Sequence, residues 1–348
     1  MLTKENFTIE HIEAMRISKK VDKTILERSI YALGLLEALV SVGMTFIFKG
    51  GTSLALLLET PRRLSTDIDI VVKPGTDVDA YIEEAAKIFP FKSVTQQIRK
   101  GRDNIEKRHY RFVYDSPAFG SDFYVLLDVL YEENTYSRLV SKPIDNMLVI
   151  TEEPYINVTM PSVDCIMGDK LTAFAPHTTG IPFGIDKELE IIKQLYDVSC
   201  LFDVAEDFQD VRDSYMKTVA AEISYRGNAI TAEDALMDTI DAAACVAGRG
   251  LIGKDYPLLL SGIKKISTHI FNDEFNAQVA VLRASKVMYA AACVLRNTEI
   301  RAIDDPASYH DINISNSKYS KLGKIRNLDP LAFAYVVEAL KLLDGKGA

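Results

Sequence analysis

The sequence predicts an α+β protein in which a domain with a mixed sheet flanked by helices precedes an all-helical domain. Up to about residue 155, strand-like runs such as IDIVV and DFYVLLDVLY alternate with helix-like runs such as VDAYIEEAAKIF, which is typical of mixed architectures. After that point strands end, and apolar residues recur at helical spacing in segments such as KELEIIKQLYDVSCLF. We therefore expect domains at residues 1–155 and 156–348, as the chain length also favours.

Composition and charge indicate an ordinary folded protein. Hydrophobic residues make up 48% of the chain and charged residues 26%, so no long disorder is expected. The four cysteines are widely spaced without a CxxC pair, which argues against a zinc site or disulfides and favours the cytoplasm. The net charge is −9 and most of the acidity follows residue 150, so bulk affinity for nucleic acid is not expected.

The longest apolar stretch, residues 31–48, predicts helix, turn and strand instead of a membrane span. Glu37 interrupts the stretch and Gly43 breaks it. The helix should begin near Asp22 and end before Gly43. The polar, acid-containing first twenty residues do not resemble a secretory signal, and we expect no membrane partner.

Two carboxylates share one face of a predicted strand in the segment TDIDIVV. Residues two apart in a strand point the same way, so Asp67 and Asp69 lie together while Ile68 and Ile70 face the core. Like charges held side by side repel, and a divalent cation between them removes the repulsion. A bare pair of this kind is more often two solvated aspartates at a strand edge. The neighbouring residues therefore determine whether a metal site or a solvated pair is favoured.

A glycine turn precedes this pair. Gly50 and Gly51 follow a strand and precede a helix that Thr52 or Ser53 could cap, so backbone N–H groups could approach a phosphate at the helix N-terminus. The turn is neither a P-loop nor a Rossmann turn, because GxxxxGK[ST] and GxGxxG are both missing. By itself the turn indicates only that a phosphate cradle could form here.

Three further residues strengthen the prediction. Arg63 and Ser65 lie just before the aspartates, where a guanidinium and a hydroxyl could meet phosphate oxygens, although an ordinary surface loop is equally favoured. Asp128 lies in the middle of an otherwise apolar strand. A carboxylate there is costly unless it is paired or bound to metal, so a functional role is favoured.

These motifs resemble a known superfamily. GGTSL, RLSTDIDIVV and a later strand with a lone aspartate resemble the polymerase-beta-like nucleotidyltransferases. More narrowly, KGGTSL, the R-x-S-x-D-I-D element, GDKLTAFA and QLYD resemble the AbiEii-type abortive-infection toxins, the nucleotidyltransferase halves of toxin–antitoxin pairs. The likeness extends from about residue 46 to about residue 203. It implies an N-terminal polymerase-beta-like nucleotidyltransferase domain and a helical domain that completes the nucleotide site.

The resemblance also implies residue roles. The residues that match the nucleotide-phosphate elements are Gly50, Gly51, Thr52, Ser53, Arg63 and Ser65. Asp67 and Asp69 match the metal pair, and Asp128 matches the third acid, which is also the best placed proton acceptor. The implied reaction transfers a nucleotide from a nucleoside triphosphate to RNA, such as tRNA, with Mg²⁺ or Mn²⁺ as cofactor and a cognate antitoxin as partner.

Lys170, Lys193 and Asp197 are the candidates in the helical half. Lys170 matches the lysine of the family's K-L-x-A-F segment, and we expect it to project from a helix edge and contact the triphosphate. Such toxins usually show Arg-Asp-x-x-Asp in the next helix, whereas this chain has Lys193, Gln194 and then Asp197, so the first acid is absent. The alternative for Lys193 and Asp197 is an exposed ion pair.

Other interpretations stay open at this point. One is nucleotidylation of a small molecule, and another is a nucleotide-binding or protein-binding module without catalysis. Residues 92–111 carry seven basic and two acidic side chains and predict two strands joined by a GRDN turn. A phosphate-binding strip and a solvated hairpin that protects a sheet edge are about equally favoured there.

Overall fold

The computed structural model describes residues 1–97, 106–226 and 229–345. The chain forms two compact units, which are Met1–Ser162 with Thr268–Asp273, and Val163–Ser267 with Glu274–Ala348. The GRDN turn predicted at 101–104 lies outside the described residues, as do Arg99 and Lys100 of the same basic segment.

The N-terminal unit contains both helices and strands. Its helices are α1 (Ile9–Lys19), α2 (Lys23–Ser41), α3 (Gly50–Leu57) and α4 (Asp79–Ala85). Its strands are β1 (Ile47–Lys49), β2 (Asp67–Val72), β3 (Phe91–Gln97), β4 (Lys107–Asp115), β5 (Asp122–Tyr131), β6 (Leu139–Pro143) and β7 (Asn157–Pro161). The predicted mixture of helix and strand is confirmed for this unit.

Five of these strands form one mixed sheet in the order β1-β2-β5-β4-β3. The β2 and β5 strands run parallel, and the other neighbours in this sheet are antiparallel. The β6 and β7 strands form a separate antiparallel pair. Two strands that were recognised from separate motifs, β2 and β5, are therefore direct neighbours at the centre of the sheet.

The α2 helix accounts for most of the long apolar stretch. The side chain of Asp22 accepts a hydrogen bond from the backbone N–H of Ile25 at 3.0 Å and caps the helix. Gly43, with a φ of +79°, follows its C-terminal end. Leu33 and Leu36 are fully buried in the N-terminal unit. No helix in the described residues is long and apolar enough to cross a membrane.

A short segment from the C-terminal half of the sequence belongs to the N-terminal unit. The backbone N–H of Leu64 donates to the carbonyl of His269 at 2.7 Å, and that of Phe271 donates to the carbonyl of Arg62 at 2.8 Å. Arg63 and Ile270 form the β-bridge between these two bonds. The sequence placed this segment in the helical domain, because three or four extended residues carry no periodic signal of their own.

The C-terminal unit is helical in its described part. Its helices are α5 (Val163–Ala173), α6 (Glu188–Phe202), α7 (Phe208–Tyr225), α8 (Ala232–Ala247), α9 (Tyr256–Lys265), α10 (Val279–Arg296) and α11 (Pro330–Leu343). Close approach of α5 and α7 requires Gly168, where a Cβ atom would lie 2.3 Å from the carbonyl oxygen of Val211. The four cysteines are buried thiols.

Candidate active site

One row of residues crosses four strands of the mixed sheet and carries the main candidate groups. Asp69 on β2 is paired with Lys49 on β1 and with Asp128 on β5. Asp128 is in turn paired with His109 on β4. Directly paired residues point to the same side of a sheet, so these four side chains share one surface, which we call the carboxylate face.

Asp67 belongs to the carboxylate face because it lies two residues before Asp69. Ile68, between the two aspartates, is 0% exposed, and Ile70, after them, is 1% exposed. The Asp67 side chain, by contrast, is 46% exposed, and that of Asp128 is 35% exposed. The predicted alternation along β2 is confirmed, and the carboxylates are open to solvent.

The glycine turn lies directly against one of these carboxylates. Gly50 has a φ of +83°, and a Cβ atom there would lie 2.0 Å from Oδ2 of Asp69. A Cβ atom at Gly51 would lie 2.6 Å from Nη2 of Arg63 and 3.0 Å from Oγ of Ser65. Gly50 therefore requires glycine for its backbone conformation and for space, whereas a Cβ atom at Gly51 would displace the end of the Arg63 side chain. The turn, the arginine and the serine that the sequence singled out lie together.

The expectation that Thr52 or Ser53 caps α3 is wrong. The helix begins at Gly50, so both residues lie inside its first turn, and no side chain caps it. The Thr52 hydroxyl donates to the carbonyl of Asp67 at 2.5 Å, and the Ser53 hydroxyl donates to the carbonyl of Gly50 at 2.8 Å. The two hydroxyls thus fix the turn to β2 and leave the capping of the first-turn N–H groups to another partner.

Arg63 is held firmly beside the turn. It is 7% exposed, its Nη1 donates to the carbonyl of Leu64 at 3.2 Å, and its backbone forms the bridge with Ile270. An arginine held at both its backbone and its guanidinium needs little further ordering to hold a phosphate.

Asp128 has a partner that the sequence did not reveal. Nδ1 of His109 donates to Oδ1 of Asp128 at 2.6 Å, and the His109 side chain is 15% exposed. Asp128 lies on the open side of β5, with its side chain 35% exposed. Its pairing with His109 is the kind of contact that was expected to make a mid-strand carboxylate tolerable.

The residues of the carboxylate face fit a hard divalent cation in donor chemistry, because Mg²⁺ prefers carboxylate oxygens. In the described part of the chain, no three histidine, cysteine or acidic side chains lie close enough together to hold an ion as they stand. Asp69 and Asp128 nevertheless occupy paired positions on adjacent strands. This arrangement suits Mg²⁺ bound by a few carboxylates plus substrate phosphates, which is its common mode in proteins.

Lys170 and Asp197 meet inside the helical unit. Nζ of Lys170 lies 2.8 Å from Oδ2 of Asp197, with side chains 8% and 1% exposed, and it also donates to Oε1 of Gln194 at 3.3 Å. Lys170 is thus buried and does not project as expected, because α6 supplies a carboxylate and an amide that satisfy its ammonium group. Lys193 is half-buried on the same helix.

Two basic side chains in the described part of the basic segment are paired with acids. Lys92 pairs with Asp115 and Asp122, both at 2.5 Å. Arg108 pairs with Asp79 at 3.1 Å and with Glu106 at 2.9 Å. Acidic neighbours therefore compensate these two charges, as in a solvated hairpin.

A cavity in the helical unit has a volume of about 420 Å³ and includes His177, Asp255 and Cys245 in its lining. Nε2 of His177 lies 3.0 Å from Oδ2 of Asp255. Burial raises the pKa of the Cys245 thiol to about 11, so this cysteine stays protonated at neutral pH and is a poor nucleophile. Cys245 therefore gives the cavity no reactive thiol.

A central sheet that carries a glycine turn, an aspartate pair and a third aspartate on the adjacent parallel strand has the arrangement expected from the resemblance to polymerase-beta-like nucleotidyltransferases. The family model for the nucleotidyl transferase AbiEii toxin of type IV toxin–antitoxin systems matches residues 34–280. The chain belongs to this family, and it is therefore a nucleotidyltransferase of the toxin type.

Several solved structures are similar to this chain. JHP933 from Helicobacter pylori has 12% identity and a TM-score of 0.44, and the match covers 78% of this chain and 93% of that one. An antigenic nucleotidyltransferase-like protein from Paracoccidioides brasiliensis has 16% identity and a TM-score of 0.37, with 57% and 90% covered. No curated protein matches the chain.

Replacement of Gly51 by alanine should impair nucleotide binding more than folding. The new Cβ atom would meet the far end of the Arg63 side chain and push it from its hydrogen bond with the Leu64 carbonyl without moving the backbone, so the free energy of unfolding should fall by about 1–2 kcal/mol. Loss of a charged hydrogen bond to phosphate should raise KM for the triphosphate about 10- to 100-fold. Gly323→Ala, where a Cβ atom would meet neighbours no closer than 3.6 Å, is the control, and an unchanged KM for Gly51→Ala would contradict the cradle.

His109→Ala should lower kcat about 10- to 100-fold, because hydrogen-bond partners that orient ligating or reacting carboxylates typically have effects of this size. The Mg²⁺ concentration for half-maximal activity should rise as well, since Asp128 loses the hydrogen bond that orients it. His109→Asn, which can still donate a hydrogen bond, should recover part of the activity. Equal loss in both variants would indicate that the histidine only packs.

Lys170→Met should destabilise the protein by about 3–5 kcal/mol, because it leaves the Asp197 carboxylate buried without its partner. Replacing both residues, in Lys170→Met with Asp197→Leu, should recover most of the lost stability, since a buried ion pair contributes little over apolar residues of similar size. Denaturant unfolding of the two variants and the wild-type protein measures both effects. A single variant as stable as the wild type would exclude the buried pair.

Proposed function

We propose that this chain transfers a nucleotide from a nucleoside triphosphate to an RNA acceptor, such as tRNA, with Mg²⁺ or Mn²⁺ as cofactor. The observation that carries the proposal is the placement of Asp69, which is paired with Asp128 on one side and lies against the Gly50 backbone on the other. Phosphates held by the glycine turn would thus lie next to the two carboxylates.

The glycine turn and its neighbours would bind the triphosphate. The first-turn N–H groups of α3 have no side-chain cap and provide donors at the positive end of a helix. Arg63 and Ser65, whose side chains lie beside Gly51, add a guanidinium and a hydroxyl. These groups would neutralise the charge that develops on the leaving pyrophosphate.

Asp128 would accept the proton of the acceptor hydroxyl. The hydroxyl oxygen forms a bond to the α-phosphorus as the bond to pyrophosphate breaks, and the released proton moves to the Asp128 carboxylate. His109 would hold that carboxylate in place through its hydrogen bond. A metal ion held by Asp67, Asp69 and Asp128 would supply charge stabilisation for the attacking and leaving oxygens.

The helical unit would contribute through Lys170 and Asp197, with Lys193 as a further nucleotide contact. Their assignment rests on the motif resemblance and stays a prediction. The buried ion pair at 2.8 Å favours a positioning role for Asp197, since its carboxylate fixes the ammonium group of Lys170.

The family's toxin–antitoxin organisation supports a cognate antitoxin as partner, and the four buried thiols suit the cytoplasm as compartment. Nucleotidylation of a small molecule is the second candidate. It is favoured by one observation, the pairing of Lys92 and Arg108 with acids, which leaves less free positive charge for RNA.

Replacement of Asp69 by alanine should reduce nucleotide transfer at least about 100-fold, because it removes the carboxylate nearest the glycine turn. The fold should persist, since a strand acid on an open face contributes little packing. The assay uses each labelled triphosphate with total RNA, with and without Mg²⁺ or Mn²⁺.

Asp77→Ala, which removes an exposed carboxylate from the loop after β2, is the matched control and should keep full activity. Undiminished RNA labelling by the Asp69→Ala variant would contradict the metal-assisted mechanism. Metal-dependent activity that labels no RNA species would favour the small-molecule alternative.

A further inference from the structure

A cationic cluster beside Asp67 has no role in the mechanism above. It consists of Arg28 on α2, Arg111 on β4 and Tyr124 on β5. The Cζ atom of Arg111 lies 4.1 Å from the centre of the Tyr124 ring, and that of Arg28 lies 5.3 Å from it. Both distances fall within the range of cation–π contacts, so both guanidinium groups contact the same ring.

These two positive charges are only partly compensated. Nη2 of Arg28 lies 3.5 Å from Oδ1 of Asp67, whereas no carboxylate in the described part of the chain forms an ion pair with Arg111. The Nε atoms of both arginines are buried and have no hydrogen-bond partner among the described residues. An unsatisfied buried donor costs about 1–3 kcal/mol, and the two like charges repel. An anion bound to their exposed N–H groups would offset the repulsion.

The chemistry and exposure of the cluster suit a phosphate group. The guanidinium is planar and presents its N–H groups as a fork that matches phosphate oxygens. Arg28, Arg111 and Tyr124 are all partly exposed, so a ligand can reach them from solvent. The side chain of Arg28 is 25% exposed.

The cluster and the glycine turn flank the carboxylates on opposite sides. Asp67, Leu126 and Arg111 form one row across β2, β5 and β4. Neighbouring strands are about 4.8 Å apart, so the backbone of Arg111 lies about 10 Å from the backbone of Asp67, two strands away. On the other side, β1 and the glycine turn that follows it lie next to β2.

We propose that Arg28, Tyr124 and Arg111 form a second phosphate-binding site of this enzyme, separate from the glycine turn. The proposal rests on the nucleotidyl transfer proposed above and extends it to the second substrate. The phosphate comes from the acceptor strand or from the nucleotide. The acceptor strand is favoured by position, because the glycine turn already provides for the triphosphate on the opposite side of the carboxylates.

The test measures binding, not turnover, so that it is independent of catalysis. Unfractionated tRNA serves as the probe for the acceptor strand, and inorganic tripolyphosphate serves as the probe for the nucleotide phosphates. In Arg111→Gln and in Arg28→Gln, tRNA should bind about 10-fold more weakly. The slope of log K against log salt concentration should fall by about 0.7–0.9 for each phosphate that the variant no longer neutralises.

Arg108→Gln is the matched control, because it removes the same charge from the same strand at a position already paired with Asp79 and Glu106. It should leave the tRNA affinity and salt slope unchanged. Arg111→Lys keeps the charge and most of the apolar stem. It should fold like the wild type, retain the salt slope and bind tRNA with intermediate affinity.

The outcomes separate this proposal from the one on which it rests. Weaker tRNA binding in Arg111→Gln supports an acceptor phosphate at the cluster, and weaker tripolyphosphate binding supports a nucleotide phosphate there. If the wild type binds the probes and Arg111→Gln binds both equally well, the cluster is not a phosphate site. If the wild-type protein binds neither probe, both the second phosphate site and the proposed transfer to RNA are contradicted.

Discussion

The site depends on the contact between the backbone at Gly50 and the carboxylate of Asp69. A side chain at that position would overlap Oδ2 of Asp69, since a Cβ atom there would lie only 2.0 Å away, and the φ of +83° would strain any other residue. Thr52 also fixes this turn to β2, because its hydroxyl donates to the Asp67 carbonyl. The backbone of the glycine turn and the Asp69 carboxylate therefore lie side by side, as the proposed binding of phosphate and cation requires.

The sheet order then decides which further groups reach the site. The β2 and β5 strands are parallel neighbours, and the register of their pairing places Asp128 directly beside Asp69. The antiparallel pairing of β4 with β5 places His109 beside Asp128, and Arg111 beside Leu126. A shift of one residue in this register would turn these side chains toward the core. The apolar residues that alternate with them, such as Ile68 and Val129, make such a shift costly.

Local patterns made part of this arrangement predictable. The period of two in β2 predicted the shared face of the aspartates, the apolar periodicity and Gly43 predicted α2, and the loss of strand patterns after about residue 155 predicted the helical unit.

What could not be predicted depends on pairing between distant segments. His109 reads as one more polar residue in a basic strand until its register opposite Asp128 is known. The same holds for the Arg63 bridge to Ile270 and for the burial of Lys170 by Asp197, since the sequence shows a charged residue but not its partner.

Electrostatics ties these features to the chemistry. A nucleoside triphosphate carries several negative charges and has to approach the Asp67, Asp69 and Asp128 carboxylates, which is unfavourable at short range. Arg63 on the side of the glycine turn, and Arg28 with Arg111 on the other side, lower the cost of bringing phosphates to each flank. The ion pair of Arg28 with Asp67 at 3.5 Å supplies some positive charge to the carboxylates themselves, but three carboxylates facing a triphosphate need more. In the proposed mechanism a divalent cation that arrives with the triphosphate would meet this need, because the substrate oxygens would complete a ligand set that the described side chains alone do not form.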